Sequence, residues 1–249
     1  FFEIKNEIFE KLVFTSSIAV YGSGKNSPPP FKEDQTPFPE DPYGIAKLAV
    51  EQDLAAAHQT HNLNYVILRP YNVYGERQFL GDPYRNVLGI FMNNIMKGKP
   101  PCIFGDGKQK RAFSYIGDVA PCIAESAFIE KANGQTINLG ASRTYSVNTL
   151  AQVVIDAMGV SMKPEHLPPR FEVKYAWCDN TKAKKILGYQ ENTSLSDGVS
   201  RMAAWAKSSG PMEPIVWEGY ELKNNLPPIW QQLSSAYPYA KKRIDAAHL

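Results

Sequence analysis

Tyr43 and Lys47 have the residue types and the spacing of a proton-transfer pair. Residues four apart on a helix lie one above the other on the same face. The run over 41–52, DPYGIAKLAVEQ, predicts a helix of this kind. A nearby ammonium group favours the phenolate form of a tyrosine, so the phenol can act as a base near neutral pH. Tyr43 is therefore a candidate base, and Lys47 is the cation that activates it.

Two other tyrosines also precede a lysine by four positions, so spacing alone does not identify the reactive pair. Tyr21 and Lys25 are separated by Gly-Ser-Gly, which is typical of a loop. Tyr237, which precedes Lys241, is followed directly by a proline. Only Tyr43 opens a long proline-free run with apolar residues at helical spacing, which predicts a buried helix with the pair at its start. A surface pair on an ordinary amphipathic helix is the alternative that the spacing leaves open.

The composition is that of an ordinary α/β protein. The chain has 249 residues, enough for one large domain or two small ones, and 43% of them are hydrophobic. The net charge is +2 and the basic residues are scattered, so neither nucleic acid nor a membrane surface is an expected partner. No apolar run approaches the ~18 residues of a membrane span, and no signal peptide is recognisable. We expect a soluble, cytoplasmic protein.

Neither the cysteines nor the histidines predict a metal site. Cys102, Cys122 and Cys178 are odd in number and lack the spacing of metal ligands, so they are interpreted as buried thiols in a reducing compartment. His58 and His61 are three positions apart, but no third ligand follows at a useful distance. A histidine near a helix C-terminus also has a simpler role, since its charge complements the helix dipole.

Two short apolar runs end in polar residues, as expected of parallel strands that are buried on both faces. The run over 12–17 ends in Thr-Ser-Ser, and the run over 64–69 is followed by Pro-Tyr-Asn. In open α/β sheets ligands bind beyond the carboxyl ends of the strands, so these polar residues are candidates for a site. The alternation of strands and helices predicts an α/β fold with a parallel sheet. Further helices are predicted over 2–11, 86–97, 118–130 and 147–158, with Asp118 as an N-cap, and further strands over 100–107, 111–116 and 136–140.

Several motifs together resemble the extended short-chain dehydrogenase/reductase family, and most closely its nucleotide-sugar epimerases of the UDP-glucose 4-epimerase type. The matching segments occur in the family's order and extend over about 12–205. They are 15–22 (TSSIAVYG), 42–47 (PYGIAK), 68–75 (LRPYNVYG), 104–113 (FGDGKQKRAF) with 117–119 (GDV), and 182–188 (KAKKILG).

The resemblance implies the C-terminal part of a Rossmann-type parallel sheet, without its N-terminal βα units, and a smaller α/β substrate domain. Residues 1–74 and 112–140 would belong to the remaining dinucleotide-binding part. Residues 75–111 and 141–249 would form the substrate-binding part. The resemblance also implies a homodimer in which helices of two copies, including the Tyr43 helix, pack against each other.

The resemblance implies NAD as the cofactor and a nucleotide sugar, of the UDP-sugar class, as the substrate. Tyr43 would take a proton from a sugar hydroxyl, Lys47 would assist it, and Ser17 would hydrogen-bond the reacting oxygen. The implied cofactor-binding residues are Ser16, Ser17, Tyr43, Lys47, Pro70 and Tyr71. The implied substrate-binding residues are Ser17, Asn72, Asn86, Arg111 and Arg170.

Arg111 and Arg170 match a basic pair that clamps the diphosphate, a task that suits forked guanidinium groups. Without the motif, each arginine would be interpreted as a member of a surface ion pair. The implied reaction is epimerisation at C4, of the UDP-glucose/UDP-galactose type: oxidation to a transient keto-sugar, rotation of that sugar, and reduction on its other face.

The chain departs from the related dehydratases and decarboxylases at Ile18 and Ala19, directly after Ser17. Those enzymes have an Asp or Glu there as a further acid or base, so its absence favours epimerisation. A dehydratase, decarboxylase or reductase of the same family remains an alternative. A catalytically silent, dinucleotide-binding member is another.

A second departure concerns the cofactor. The glycine-rich turn that places a pyrophosphate at a helix N-terminus does not occur in the sequence, and the resemblance puts it upstream of Phe1. We therefore expect the 249-residue chain alone to bind NAD weakly and to be inactive. Isothermal titration calorimetry with NAD tests this, and tight binding by the isolated chain would contradict it.

Overall fold

The computed structural model describes residues 10–25, 27–170, 173–214 and 228. The helix predicted over 2–11 therefore lies outside the described residues except for Glu10 and Lys11, and so does almost all of the tail from residue 215. Among the described residues, none of the helices is both long enough and apolar enough to cross a membrane.

Strands and helices alternate along most of the chain, which confirms the α/β class. The strands are β1 (Leu12–Thr15), β2 (Tyr65–Pro70), β3 (Val73–Tyr74), β4 (Cys102–Phe104), β5 (Lys110–Ala112), β6 (Ser114–Tyr115), β7 (Gln135–Leu139), β8 (Thr144–Ser146), β9 (Glu165–Leu167) and β10 (Tyr175–Ala176). The helices are α1 (Pro42–His61), α2 (Val87–Met96), α3 (Ile116–Glu125), α4 (Val147–Met158), α5 (Thr181–Leu187) and α6 (Leu195–Ser209), with short 3-10 helices at Ile18–Tyr21 and Glu130–Ala132.

The central sheet consists of β1, β2 and β7, all parallel and in the order β1-β2-β7. In β2 alternate side chains pack on opposite faces, as the pleat requires. Val66 and Leu68 pack with α3, α5 and β7, whereas Tyr65 and Ile67 pack against Leu54 of α1. The strand is buried on both faces, as its apolar sequence predicts, and helices cover both sides of the sheet.

The smaller sheets are formed by strands that follow β2 and β7 in the sequence. β5 pairs with β10 and β8, β3 pairs with β6, and β4 pairs with β9. A second hydrophobic core fills the space among α2, α4 and α6, around Phe91, Leu150 and Met202. This core supports the part of the chain that surrounds the cavity described below.

Helix α1 begins and ends at residues suited to those positions. Asp41 is the N-cap and accepts a hydrogen bond from the Gly44 amide at 2.6 Å, Pro42 occupies the first turn, and Asn62 ends the helix in the left-handed conformation. The prediction of a buried helix is wrong for the described residues: Tyr43 is 55% exposed, because only the face with Gly44, Glu51 and Leu54 packs inward.

The predicted capping role of Asp118 is also wrong. Helix α3 has Tyr115 at its N-cap position, and Asp118 lies in its first turn. Both carboxylate oxygens of Asp118 accept hydrogen bonds from Thr193, one from the backbone amide at 3.0 Å and one from the hydroxyl at 3.1 Å. Asp118 therefore bonds to a residue 75 positions away instead of capping its own helix.

A buried ion pair joins α1 to the central sheet. Arg69, at the end of β2, donates from Nε to Glu51 Oε1 at 2.9 Å and from Nη2 to Glu51 Oε2 at 2.5 Å. The two side chains are only 5% and 6% exposed. Burial alone lowers the pKa of the Arg69 guanidinium, but the hydrogen bonds and charge of Glu51 outweigh it and hold that pKa above its ordinary value.

We expect Arg69→Met to lower the free energy of unfolding by about 3–5 kcal/mol, because it leaves the Glu51 carboxylate buried without its partner. Urea denaturation followed by circular dichroism measures the effect. The double variant Glu51→Leu/Arg69→Met should be less destabilised than Arg69→Met alone. Arg85 provides the control, since its ion pair with Asp82 is at the surface and Arg85→Ala should cost less than ~1 kcal/mol. Equal losses in Arg69→Met and Arg85→Ala would contradict the prediction.

Candidate active site

Tyr43 and Lys47 lie at the carboxyl end of β1. The Lys47 ammonium donates a hydrogen bond to the backbone oxygen of Thr15, the last residue of β1, at 2.8 Å. It lies 5.6 Å from the centre of the Tyr43 ring and 5.0 Å from that of Phe14. The hydrogen bond holds the cation near the ring of the exposed Tyr43, so the two side chains lie together as their helical spacing predicts.

Ser17 lies at the same end of β1. It is the N-cap of the 3-10 helix Ile18–Tyr21, and its hydroxyl accepts a hydrogen bond from the Ala19 amide at 3.1 Å. That 3-10 helix lies against the start of α1: a Cβ added to Gly44 would be only 2.6 Å from the Ala19 carbonyl oxygen. Gly44 thus permits the close approach that brings the Tyr43 turn next to the Ser17 turn.

The rival pair at Tyr21 and Lys25 is excluded as a proton-transfer unit. The Tyr21 phenol is buried, donates to Asn138 Oδ1 at 2.9 Å and accepts from Arg69 Nη1 at 2.7 Å. Burial raises the pKa of Tyr21 well above its ordinary value, despite the neighbouring Arg69 charge, so it is a poor base near neutral pH. Lys25 instead pairs with Glu40 at 3.1 Å. Tyr237 lies outside the described residues.

Two residues to which the resemblance gives cofactor contacts have structural partners. The Ser16 hydroxyl is buried and donates to Glu51 Oε1 at 2.5 Å. The Tyr71 side chain is 2% exposed and donates to the Ala141 carbonyl oxygen at 2.8 Å, and burial raises the pKa of its phenol. Both arrangements argue against a side-chain contact with a cofactor. Pro70 is partly exposed at the end of β2.

A cavity of about 680 Å³ brings together four of the predicted substrate-binding residues. Asn72, Asn86, Arg111 and Arg170 all line it, although they are up to 98 positions apart in the chain. Other lining residues belong to α2, β4 and β9. Two guanidinium groups and two amides in one cavity are suited to a ligand with phosphate oxygens.

Each arginine of the cavity is held by its surroundings. Arg111 donates to the backbone oxygens of Lys110 at 2.9 Å and Lys174 at 3.0 Å, and also to that of Val173. The Arg170 guanidinium lies 4.3 Å from the centre of the Phe104 ring, a cation–π contact. These contacts fix the positions of the two charges in advance of any ligand.

Both asparagines of the cavity have left-handed backbones, with φ of 43° at Asn72 and 66° at Asn86. Asparagine tolerates this conformation better than most residues do. The Asn72 amide donates to the Ala112 carbonyl oxygen at 2.8 Å, which ties the end of β2 to β5. Asn86 is exposed at the start of α2 and makes no side-chain capping bond.

Glu51 and Arg69 are residues of the site region that the sequence reading did not identify. The signal in the sequence is Arg69 at the end of the apolar strand β2, because an arginine buried in a sheet requires an acidic or hydrogen-bonding partner. Glu51 is also one turn beyond Lys47 on the same side of α1. Among the described residues, no cluster of three or more histidine, cysteine or acidic side chains is positioned to bind a metal ion.

A parallel sheet flanked by helices, with Ser17, Tyr43 and Lys47 at its carboxyl edge, is the arrangement of a Rossmann-type, dinucleotide-binding protein. Residues 3–140 match the NAD dependent epimerase/dehydratase family, and the chain belongs to this family.

Relatives of known sequence and structure are similar over most of the chain. A putative UDP-glucose 4-epimerase of Methanocaldococcus jannaschii is 34% identical over 80% of this chain and 64% of its own length. A UDP-N-acetyl-alpha-D-glucosaminuronate decarboxylase of Bacillus cytotoxicus is 31% identical over 79% of this chain and 63% of its own. The UDP-N-acetylglucosamine 4-epimerase of Methanobrevibacter ruminantium, solved with UDP-N-acetylmuramic acid, superposes with a TM-score of 0.77 at 30% identity, over 82% of this chain and 65% of its own. The chain thus spans slightly less than two thirds of these relatives.

We expect Gly44→Ala to lower the free energy of unfolding by about 1–3 kcal/mol, because the added methyl group would overlap the Ala19 carbonyl oxygen. Alanine is otherwise the better helix former by about 1 kcal/mol. Gly89, in α2, is the matched control: a Cβ there meets its nearest atom at 3.5 Å, so Gly89→Ala should be neutral or stabilising. Urea denaturation of both variants measures the difference, and a Gly44→Ala variant as stable as Gly89→Ala would refute the close approach.

Proposed function

We propose that the protein epimerises a nucleotide sugar at C4 with NAD as its cofactor, and that its substrates are of the UDP-glucose/UDP-galactose type. The observation that supports this best is the cavity in which Asn72, Asn86, Arg111 and Arg170 meet. Two forked cations and two amides match a diphosphate and its neighbouring hydroxyl groups. Family membership and the UDP-sugar enzymes among the relatives support the same substrate class.

In this proposal Tyr43 and Lys47 move the proton. The Tyr43 phenolate takes the proton from the C4 hydroxyl of the sugar and returns it at the end of the cycle. Lys47 would assist this transfer, because the Thr15 carbonyl oxygen holds its ammonium beside the ring. Ser17 hydrogen-bonds the reacting oxygen. Asn72, Arg111 and Arg170 tether the nucleotide so that the sugar can rotate without leaving.

The residues at the carboxyl edge of the sheet fit the reactive end of a dinucleotide. Tyr43 exposes 55% of its surface there, with Lys47 and Pro70 partly exposed alongside it. In the proposal these residues and Ser17 bind NAD. When bound, NAD would supply the redox chemistry by accepting a hydride from the sugar and returning it.

The surroundings of Ser17 favour epimerisation over the alternatives in the family. The next residue, Ile18, is apolar and packs against the apolar cluster around Phe31 and Tyr71. It therefore supplies neither an acid nor a base directly after Ser17. A dehydratase or decarboxylase would need one, although a decarboxylase is among the relatives. A silent, dinucleotide-binding member would have no need of an exposed Tyr43 with a cation beside it.

The domain division and the dimer are further parts of the proposal. Residues 1–74 and 112–140 would bind the dinucleotide, which fits the central sheet of β1, β2 and β7. Residues 75–111 and 141–249 would bind the substrate. Ile45 and Val50 are exposed on α1, by 55% and 36%, as expected if the helix pairs with a second copy.

We expect Tyr43→Phe in the full-length protein to lower kcat with UDP-glucose by about 10²–10⁴-fold, the usual contribution of a positioned acid or base. The control is Tyr237→Phe, which removes the phenol of another Tyr-x-x-x-Lys sequence and should leave kcat unchanged. NMR analysis of the product distinguishes a C4 epimer from a dehydrated or decarboxylated sugar. Unchanged turnover in Tyr43→Phe would rule out the catalytic role, and a product other than the epimer would rule out epimerisation.

A further inference from the structure

Residues 210–214, which follow α6 and are here called the strap, are fastened to α2 by a buried asparagine. Asn93 is 8% exposed. Its Nδ2 donates to the backbone oxygen of Met212 at 2.9 Å, and its Oδ1 accepts from the backbone amide of Met212 at 2.9 Å. A buried amide is costly without partners, and here one backbone residue satisfies both ends of it.

Three other contacts hold the strap in place. The Met212 side chain packs against the core of α2, α4 and α6. Glu213 forms an ion pair with Lys97 at 3.1 Å. The Glu213 carbonyl oxygen approaches Gly81 so closely that a Cβ there would lie 2.5 Å away. The strap is therefore seated along α2 and against the loop that precedes it.

The seated strap forms part of the cavity wall. Pro214 and Asn93 line the same cavity as Asn72, Asn86, Arg111 and Arg170, and so does Lys97. Pro211, although in the same strap, is exposed and is not among the described residues that line the cavity. One end of the strap therefore reaches the cavity and the other does not.

The position of the strap along the cavity indicates which part of a ligand it meets. Asn72 follows β2, whose neighbour β1 ends beside Ser17, so that end of the cavity is close to the reacting groups. Asn93 is seven positions beyond Asn86 on α2, which corresponds to about 10 Å at 1.5 Å per residue. The part of α2 that holds the strap is therefore about two helical turns from Asn86, and the proposal below assigns it to the nucleotide end of the ligand.

We propose that Asn93 is a positioning residue which holds the strap as a wall around the nucleotide portion of the substrate. The inference rests on the proposed function, since it assumes that the cavity binds a nucleotide sugar. The amide clamp fixes Met212, Met212 fixes Pro214, and Pro214 closes the cavity against water beside the nucleotide. The strap therefore contributes to nucleotide affinity and not to the chemistry at C4.

The test is calorimetric titration of the full-length protein with UDP and with UDP-glucose. Asn93→Leu keeps the branched shape of the side chain but removes both hydrogen bonds, and Pro214→Trp fills the cavity from the strap while leaving the clamp intact. Each should weaken both ligands by the same factor, about tenfold or more, corresponding to a loss of at least ~1.4 kcal/mol of binding free energy. Pro211→Trp is the matched control and should leave both affinities unchanged.

Thermal melting of each variant separates a lost wall from a lost fold. Pro214→Trp should retain the melting temperature of the parent protein. If Asn93→Leu unfolds, the ligand affinities of Pro214→Trp test the proposal instead. In the full-length enzyme Asn93→Leu should raise KM for the UDP-sugar and leave kcat unchanged, a split that general destabilisation does not produce.

The remaining outcomes distinguish failure of the strap proposal from failure of the proposed function. If Arg111→Ala loses UDP binding while folded Asn93→Leu and Pro214→Trp bind as tightly as the parent, the strap proposal fails and the proposed function stands. If the variants weaken UDP-glucose but not UDP, the strap meets the sugar and the assignment to the nucleotide is wrong. If the full-length parent protein binds neither ligand, the cavity is not a nucleotide site and both proposals fail together.

Discussion

The buried pair of Glu51 and Arg69 is the interaction on which the candidate site depends. Glu51 belongs to α1 and Arg69 to β2, and the Ser16 hydroxyl, at the end of β1, donates to the same carboxylate. Three elements therefore meet at one charge pair. Because two hydrogen bonds join the guanidinium to the carboxylate, the contact fixes the orientation of α1 as well as its distance from the sheet.

The network extends from this pair to both sides of the site. Arg69 also donates to the Tyr21 phenol, which in turn donates to Asn138 of β7. Asn138 is bonded in turn to the loop before α1. Its side-chain Nδ2 donates to the Phe31 carbonyl oxygen at 3.2 Å, and its backbone amide donates to Glu33 Oε1 at 2.9 Å. A buried polar network that is satisfied in this way rigidifies its surroundings. The turn with Ser17 and the turn with Tyr43 are thus attached to one frame.

The elements that could be predicted from sequence are those whose signal is local. Helix α4 extends over Val147–Met158 as its periodicity predicts, and the Ser146 hydroxyl caps it by accepting from the Thr149 amide. The apolar run of β2 likewise matches its buried position. The N-cap prediction for Asp118 fails, because its partner Thr193 is distant in sequence and capping patterns involve only neighbouring residues.

The site shows the same division between local and distant information. The Tyr43–Lys47 spacing depends on residues within one helical turn, so the sequence alone predicts that the two side chains lie near each other. The burial of Tyr71 and the partnership of Ser16 with Glu51 depend on tertiary packing, which no spacing encodes. The family resemblance implies Arg111 and Arg170, and the fold brings the two residues to one cavity.

Arg69 differs from Arg111 and Arg170 in how deeply its side chain is buried. Arg69 is almost completely enclosed, and its charge is neutralised by Glu51, so it stabilises the frame and has no capacity left for a ligand. Arg111 and Arg170 are partly exposed at the cavity, where backbone oxygens orient the first and an aromatic ring lies against the second. Carbonyl dipoles and a π face hold a guanidinium group in position. The cost of orienting the two guanidinium groups of the cavity has therefore been met during folding.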